Sequence, residues 1–439
     1  MNKYNSYKDS GLEWIGEIPK HWKELPLRYY FDYTKGSNGQ KLNKTYIEEN
    51  KGEYPVYSGQ TTKNGILGYV NEYEFDYSFP LVFTTTVGAK FMNTRILQGK
   101  FSLSQNCLVM IRKKICIPSY FQYLLSIDFE FRRELIPTII QPSLRMEDLD
   151  RMTIIIPTLS EQQQIVTFLD DKTQKIDSLL QQKEKKIELL KEKRTSLINH
   201  VVTKGLDSNV EMKDSGVEWI GDIPSSWKIT KLKYEFNISG GGTPSKEKPE
   251  YWDGDIPWVS PKDMKSRVIS KTQDFTTILG VNNSSTKLIK ETSLLMVVRS
   301  GILQHTIPIC FNSVPVTINQ DLKSFEEKKD MTIYYLFYLI KGHEKNLLLE
   351  WSKDGTTVES IEMDFMMNSE LPIPPNSEQQ QIVEYLDEQT EEIDTLIQLE
   401  QKKIDTLKEY RQSLISEVVT GKIRVCEEDN SLSLNPQTV

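Results

Sequence analysis

The 439-residue sequence predicts an α+β fold with an internal duplication: two α+β domains joined by two long, antiparallel, coiled-coil-like helices. Three observations predict it. The block KDSGLEWIGEIPKHWKELPL at residues 8–27 returns as KDSGVEWIGDIPSSWKITKL at residues 213–232. A second block, beginning IPTLSEQQQIVTFLDDKTQKID at Ile156, returns as IPPNSEQQQIVEYLDEQTEEID at Ile373, and the match extends to VVTKG and VVTGK. Inside the second block, isoleucines recur every eleven residues in both copies. Self-similarity at a fixed offset marks a duplicated supersecondary unit. Between the repeated blocks lie two variable regions, roughly residues 31–155 and 236–371, with little similarity to each other. A duplicated frame carrying divergent inserts suggests one scaffold presenting two recognition surfaces.

In chain order, residues 1–156 form the first domain with its short block. Strand-like runs occur at residues 56–57, 80–85, 107–111 and 153–156, with a helix over 119–135. The first long helix follows, within residues 157–205. Ser160 with Gln163 reads as an S-x-x-Q capping box, and Pro157 stands just upstream, where a helix has not yet begun. The second domain spans 206–373, with strands at 256–259, 294–299 and 315–318 and a helix over 333–351. The second long helix lies within 374–424, started by Ser377 and Gln380 after Pro374 and Pro375. Residues 425–439 read as a disordered polar tail. Each long helix, uninterrupted by Pro or Gly, runs about 40 residues, or about 60 Å.

The helix seam is Ile165, Ile176, Ile187 and Ile198 in the first helix, and Ile382, Ile393, Ile404 and Ile415 in the second. Companions three residues on are Phe168, Leu179, Leu190 and Val201. An eleven-residue period corresponds to about 3.67 residues per turn and a nearly straight stripe. A helix with one apolar stripe needs a partner, and the other copy supplies it. Connectivity makes the pair antiparallel, with the end of the second helix near the N-terminal block. A dimerisation arm, or two helices in separate cores, is the competing arrangement.

Composition narrows the function classes. The chain is 38% hydrophobic and 26% charged, with a net charge of −8. That charge argues weakly against nucleic-acid binding, but many carboxylates, such as Glu384, Glu388, Glu391 and Glu392, fall on the second long helix. The longest apolar run, residues 333–340, is too short to span a bilayer, and MNKYNSYKDS offers no export core. The four cysteines Cys107, Cys116, Cys310 and Cys426 form no CxxC pair, so no zinc site or disulfide framework is expected and a cytoplasmic location fits. GGGTPSKEK lacks the Gly before Lys and the Ser/Thr after it that a phosphate loop requires. There is no GxGxxG, no NPP[YF] string and no PD dipeptide, and His21, His200, His305 and His343 stand apart. Without a nucleophile–base pair, the pattern favours a binding protein over an enzyme, with no catalytic residue and no metal.

The loops of the variable regions are polar and aromatic. In the first, the candidate ligand-binding residues are Lys35, Lys41 and Lys44. YSGQTTKNG adds Gln60, Thr61, Thr62 and Lys63; TTTVGAK adds Thr85 and Lys90; LSQN adds Gln105 and Asn106. In the second, ISGGGTPSKEK offers Gly241, Thr243, Ser245 and Lys246, followed by Trp258, Ser260 and Lys262. RSGILQH offers Arg299, Ser300 and Gln304, and INQD offers Asn319 and Gln320. Lys and Arg reach phosphates, Gln, Asn, Ser, Thr and Arg read base edges, and Gly lets backbone N–H groups approach. Read singly, each stretch is a surface turn; together they point to a polar ligand.

These residues carry a resemblance. GLEWIGEIPKHW (11–22), GVEWIGDIPSSW (216–227), both SEQQQIV copies, GTPSKEKPEYWDGDIPWVS (242–260) and INQDLKSF (318–325) together resemble the specificity subunits of Type I restriction–modification systems. The resemblance covers the chain to about Arg424. It implies two target-recognition domains, each reading one half of a split, asymmetric double-stranded DNA site, with these loop residues as DNA contacts. The helices would set the spacer and dock two modification (methyltransferase) subunits carrying S-adenosylmethionine. Two restriction (translocase/nuclease) subunits would bring ATP and Mg2+. This chain itself would hold no cofactor. A specificity subunit of a related Type II system, or a protein-binding adaptor, is the alternative.

Overall fold

The computed structural model describes residues 3–60, 63–88, 91–136, 143–352 and 360–425. Thr61, Thr62 and Lys90 lie outside these residues, as does the expected tail beyond Val425. The chain divides into two compact units. One takes the chain up to Lys183 and again from Lys402 onward; the other is Glu184–Gln401. The division therefore cuts each long helix near its middle. Each half-helix packs into the core of a domain.

In the first unit, the short block folds into a hairpin, Tyr7–Asp9 against Glu17–Pro19. Gly11 and Gly16 sit at φ +67° and +73°, conformations that L side chains rarely adopt. The chain then pairs Lys23–Pro26 with Thr153–Ile156, so the start and end of the variable region lie side by side. Between them runs a six-stranded sheet in the order Phe31–Thr34, Cys107–Arg112, Phe75–Thr85, Thr94–Leu103, Lys51–Tyr57, Ile66–Val70. The helix Pro118–Glu134 buries Tyr120, Phe121, Leu124, Leu125 and Phe129 in a core shared with Trp22, Phe31, Ile165 and Ile415. The ten-residue strand Thr94–Leu103 escapes sequence reading because Arg95, Gln98, Gly99 and Lys100 break its apolar alternation.

The second unit repeats the frame around a different insert. Met212–Asp214 pairs with Asp222–Pro224, and Lys228–Lys231 with Glu370–Ile373. Its sheet has five strands, in the order Phe236–Gly240, Leu322–Glu327, Leu294–Val297, Ile309–Asn312, Val268–Ile269. A separate three-stranded sheet holds Asp274–Thr276, Trp252–Val259 and Thr317–Ile318. The helix Ile333–Trp351 has non-helical dihedrals at His343 and buries Tyr335, Leu336, Leu339 and Trp351.

The long helices are Leu159–Lys204, 46 residues, and Asn376–Val419, 44 residues. At 1.5 Å per residue each extends about 65–70 Å. Within each unit their segments run antiparallel. In the first, Tyr120 links Ile155 to Val419, while Arg411 reaches Asp177 at 2.8 Å. In the second, Lys186 pairs with Glu400 at 3.0 Å and Arg194 with Asp394 at 3.0 Å. All eight seam isoleucines are buried. One detail differs from expectation: the companion Leu179 is 44% exposed, while Leu180 packs on the core. At 100° per residue a position four on lies about 40° from the seam, and one three on about 60°, so the fourth is favoured.

Each long helix ends on a glycine at positive φ, Gly205 (+76°) and Gly421 (+73°), the usual left-handed stop. A Cβ on Gly421 would lie 2.5 Å from Pro19 and 3.0 Å from Trp22; one on Gly205 would lie 3.3 Å from Trp227.

Candidate nucleic-acid interface

The repeated SEQQQIV string joins each long helix to its domain, and by different residues than the spacing predicts. The capping box is Thr158 with Glu161. Thr158 N and Oγ1 donate to Glu161 Oε2 at 3.1 and 2.8 Å, and Glu161 N donates to Thr158 Oγ1 at 3.3 Å. Ser160 instead accepts from Gln164 at 3.2 Å. The helix begins at Leu159, so Ser160 already lies inside its first turn. In the second copy the residue matching Thr158 is Pro375, which has no hydroxyl; its carbonyl accepts from Glu378 N at 2.9 Å. Gln380 bonds Glu384 rather than Ser377.

Glu161 also accepts from Trp22 Nε1 at 3.3 Å, and Glu378 accepts from Trp227 Nε1 at 2.9 Å. The first glutamine of each triplet is buried and spans two elements. Gln162 accepts from Ile117 N at 3.0 Å and donates to Pro157 O at 3.1 Å. Gln379 accepts from Thr332 N at 2.9 Å and donates to Pro374 O at 3.0 Å. Ile117 and Thr332 are the N-caps of the two domain helices, so one glutamine fixes where each domain helix meets its long helix. Those domain helices share a further Tyr-x-x-Tyr pair. Tyr120 and Tyr335 donate to Val419 O at 3.2 Å and Val202 O at 2.8 Å, the last turns of the long helices. Tyr123 donates to Asp170 at 2.7 Å, and Tyr338 donates to Asp387. The pattern is visible in the two helix sequences once they are placed side by side.

On this frame, the first domain gathers its loops at one edge of the sheet. Ser58 N donates to Gly65 O at 2.8 Å, Ser104 N to Tyr57 O at 2.8 Å and Thr86 N to Asn106 O at 2.7 Å. Gln105 N donates to Gly39 O at 2.9 Å, bringing in the segment after Lys35. Gln60, Lys63, Gln105 and Asn106 therefore belong to one cluster, with Lys63, Gln105 and Asn106 exposed. Lys35, Lys41 and Lys44 are also exposed; Lys41 lies 4.7 Å from the Tyr46 ring. Thr85 is fully buried, and its Oγ1 accepts from Asn93 N at 3.1 Å across the turn.

In the second domain the glycine loop folds onto INQD. Gly242 N donates to Ile318 O at 3.0 Å, and Thr243 Oγ1 to Gln320 Oε1 at 2.6 Å. A Cβ on Gly241 would lie 2.0 Å from Ile318 O, so close backbone approach explains that glycine. Three further candidates are buried and bonded within the loops. Trp258 is buried and donates to Gly242 O at 3.0 Å; Ser260 is buried against Asp263 at 2.8 Å; Asn319 is buried and donates to Asp321 at 3.0 Å. They hold the loops that carry the exposed Ser245, Lys246, Lys262, Arg299, Gln304 and Gln320. Gly241 and Ser300 are half-buried. Arg299 is paired with Asp321 at 2.6 Å, and Lys262 with Asp274 at 3.5 Å.

Cys107, Cys116 and Cys310 are buried, and burial pushes their thiols up to about 11, 11 and 12, far from a reactive thiolate. His343 is buried against Trp219, and burial lowers it to about 4. Among the described residues no group of three or more His, Cys, Asp or Glu could hold a metal, and no helix is long and apolar enough to cross a membrane.

Comparison with known proteins agrees with this architecture. The Type I restriction modification DNA specificity domain matches residues 19–189 and 224–409. The Escherichia coli Type I restriction enzyme EcoR124I/EcoR124II specificity subunit is 36% identical over 220 residues, 48% of this chain and 51% of that protein. This chain thus matches about half the length of that relative. The Methanocaldococcus jannaschii MjaVIII specificity subunit is 23% identical over 418 residues, 93% of this chain and 94% of that one. A solved chain from work on assembly and conformational transition of the Type I restriction–modification system shares the fold, with TM-score 0.71 at 15% identity over 92% of this chain and 99% of that one. With two matched domains occupying most of its length on a duplicated frame, the chain belongs to the Type I restriction–modification DNA specificity family.

Proposed function

We propose that this chain is the DNA-reading specificity subunit of a Type I restriction–modification enzyme, without catalytic activity of its own. Each domain binds one half of a split, asymmetric double-stranded site. The long helices set the spacer and dock two modification subunits, which supply S-adenosylmethionine chemistry in the cytoplasm. Two restriction subunits add ATP- and Mg2+-dependent translocation and cleavage.

One observation carries this reading. Two units are built on the same hairpin, tryptophan, Tyr-x-x-Tyr helix and long-helix frame, yet present different sheets and different loop clusters. A shared frame serves a shared mounting; differing loops serve differing ligands. The loop residues left exposed are Lys, Arg, Gln, Asn and Ser, the types that contact phosphates and base edges. The carboxylate-rich second long helix keeps net charge from describing the loop surfaces. DNA binding by the isolated chain is expected to be weak and salt-sensitive, with partners supplying further phosphate contacts.

Methylome sequencing of cells carrying this chain with its modification partner tests the proposal. The expected result is one methylated motif made of two unlike half-sites and a fixed unspecified gap. Methyl transfer or cleavage by the purified chain alone would overturn it, as would a methylated motif of a single undivided block.

A further inference from the structure

Arg95 stands apart from the other loop cations of the first domain. It lies near the start of strand Thr94–Leu103, directly opposite Phe83 on the neighbouring strand. Its guanidinium carbon is 5.4 Å from the centre of the buried Phe83 ring. Nη1 donates to Asn64 O, and Nη2 donates to Asn93 Oδ1 at 3.3 Å. The side chain is half-buried, and no carboxylate among the described residues pairs with it. The contrast with Arg299, neutralised by Asp321 in the second domain, is direct. Burying part of a guanidinium without a counter-charge is unfavourable, and burial lowers its pKa.

The backbone around it is strained as well. Lys63, Asn64 and Gly65 are consecutive residues at positive φ, +50°, +53° and +77°. Such a run is disfavoured for Lys, and strain of this kind collects at ligand-binding sites. A Cβ on Gly65 would lie 1.8 Å from Arg95 Nη1, so the turn folds against the guanidinium. The exposed Asn106, itself at φ +68°, is tied through Thr86 to the same edge.

A guanidinium carries five N–H donors. Two are taken by Asn64 and Asn93, leaving the Nε–H and one further hydrogen on each Nη. The Phe83 ring beneath it and two fixed acceptors hold the guanidinium in place before any ligand arrives. Guanine presents N7 and O6 side by side in the major groove, the acceptor pair that a held arginine fork matches. We infer that Arg95 is a specificity-determining residue that donates to the N7/O6 edge of a guanine in the first domain's half-site. This rests on the DNA-reading function proposed above. A sequence-independent phosphate contact is the competing role, and the experiment separates the two.

The test is binding selection from random duplexes, using the full chain assembled with its modification partner, for wild type, R95K and R95Q. R95K keeps the charge and most of the stem over Phe83 but loses the fork. Wild type is expected to require a guanine at one position of one half-site. R95Q relaxes that position alone, by about 5- to 150-fold in preference, R95K relaxes it less because an ammonium still donates to guanine, and the other half-site is unchanged. A complementary arm leaves the protein intact: replacing that guanine with 7-deazaguanine removes N7 and weakens wild-type binding by a similar factor. Retention of the guanine by R95Q, or indifference of wild type to 7-deazaguanine, overturns the inference. Uniform weakening on all sequences, with the salt slope reduced by about one, marks a phosphate contact and also overturns it. Loss of every position of the half-site together assigns Arg95 a structural role and does the same. If wild type selects no sequence at all, the DNA-reading function falls with it; if wild type selects a split site and only the Arg95 arms fail, this inference falls alone.

Discussion

Glu161 gathers Thr158, Trp22 and His21 around one carboxylate, with His21 at 2.9 Å. Burial alone would raise its pKa; the hydrogen bonds from His21, Thr158 and Trp22 outweigh that and hold it below the ordinary range. A depressed folded-state pKa contributes stability above the unfolded pKa, and that contribution is lost as pH falls through the folded value. E161Q is therefore expected to lower the melting temperature at neutral pH, by a loss of about 1–3 kcal/mol, and to narrow its gap to wild type in acid. Thermal unfolding at pH 7 and at pH 3 checks this; an equal gap at both pH values would show that the charge contributes nothing. The same side chain shows what was legible at this scale. The repeat announced a helix start at both copies, but the box was placed on Ser160 and Gln163. Thr158 and Pro375 differ between the copies, so the true cap lay outside the identical string. Arg95 is not singled out in the sequence because Asn64 and Phe83 are distant from it along the chain and meet it only in the folded domain.

At the scale of elements, the eleven-residue isoleucine spacing marks eight residues that are all buried, whereas the companion series three residues on is not uniformly so. Ile404 is 2% exposed, whereas Leu179 is 44% exposed although it too belongs to the apolar repeat. Ile404→Asp is expected to cost several kcal/mol, because it buries an unpaired carboxylate, while Leu179→Asp stays within about 0.5 kcal/mol. Urea unfolding of the two variants side by side decides it; equal midpoints would remove the distinction between seam and flank. The long helices were legible because their period is sustained over four repeats with no Pro or Gly. Strands were less so. Val268–Ile269 has two residues and Trp252–Val259 carries a register shift, and short or bulged strands have no period to read. Trp258, Ser260 and Asn319 look like ligand contacts in sequence because polar and aromatic residues also build loop interiors, and only burial separates the two uses.

For the whole molecule, duplication is the organising fact. The frame contacts recur pair for pair: Trp22 with Glu161 and Trp227 with Glu378, Gln162 with Ile117 and Gln379 with Thr332, Tyr120 with Val419 and Tyr335 with Val202. The inserts follow no such rule, one being a six-stranded sheet and the other a five-stranded sheet beside a three-stranded one. The repeated frame was visible in sequence because both copies kept the same words. The shared Tyr-x-x-Tyr pattern shows only once the two domain helices are aligned, because they lie within regions that otherwise diverged. Under the proposed function, this organisation makes each insert an independent reader on a constant mount. The measurement that tests it most directly exchanges residues 31–155 for the corresponding region of another family member and sequences the methylome with the same modification partner. The account predicts that one half of the target changes while the other half is kept. A change in both halves, or in neither, would contradict it.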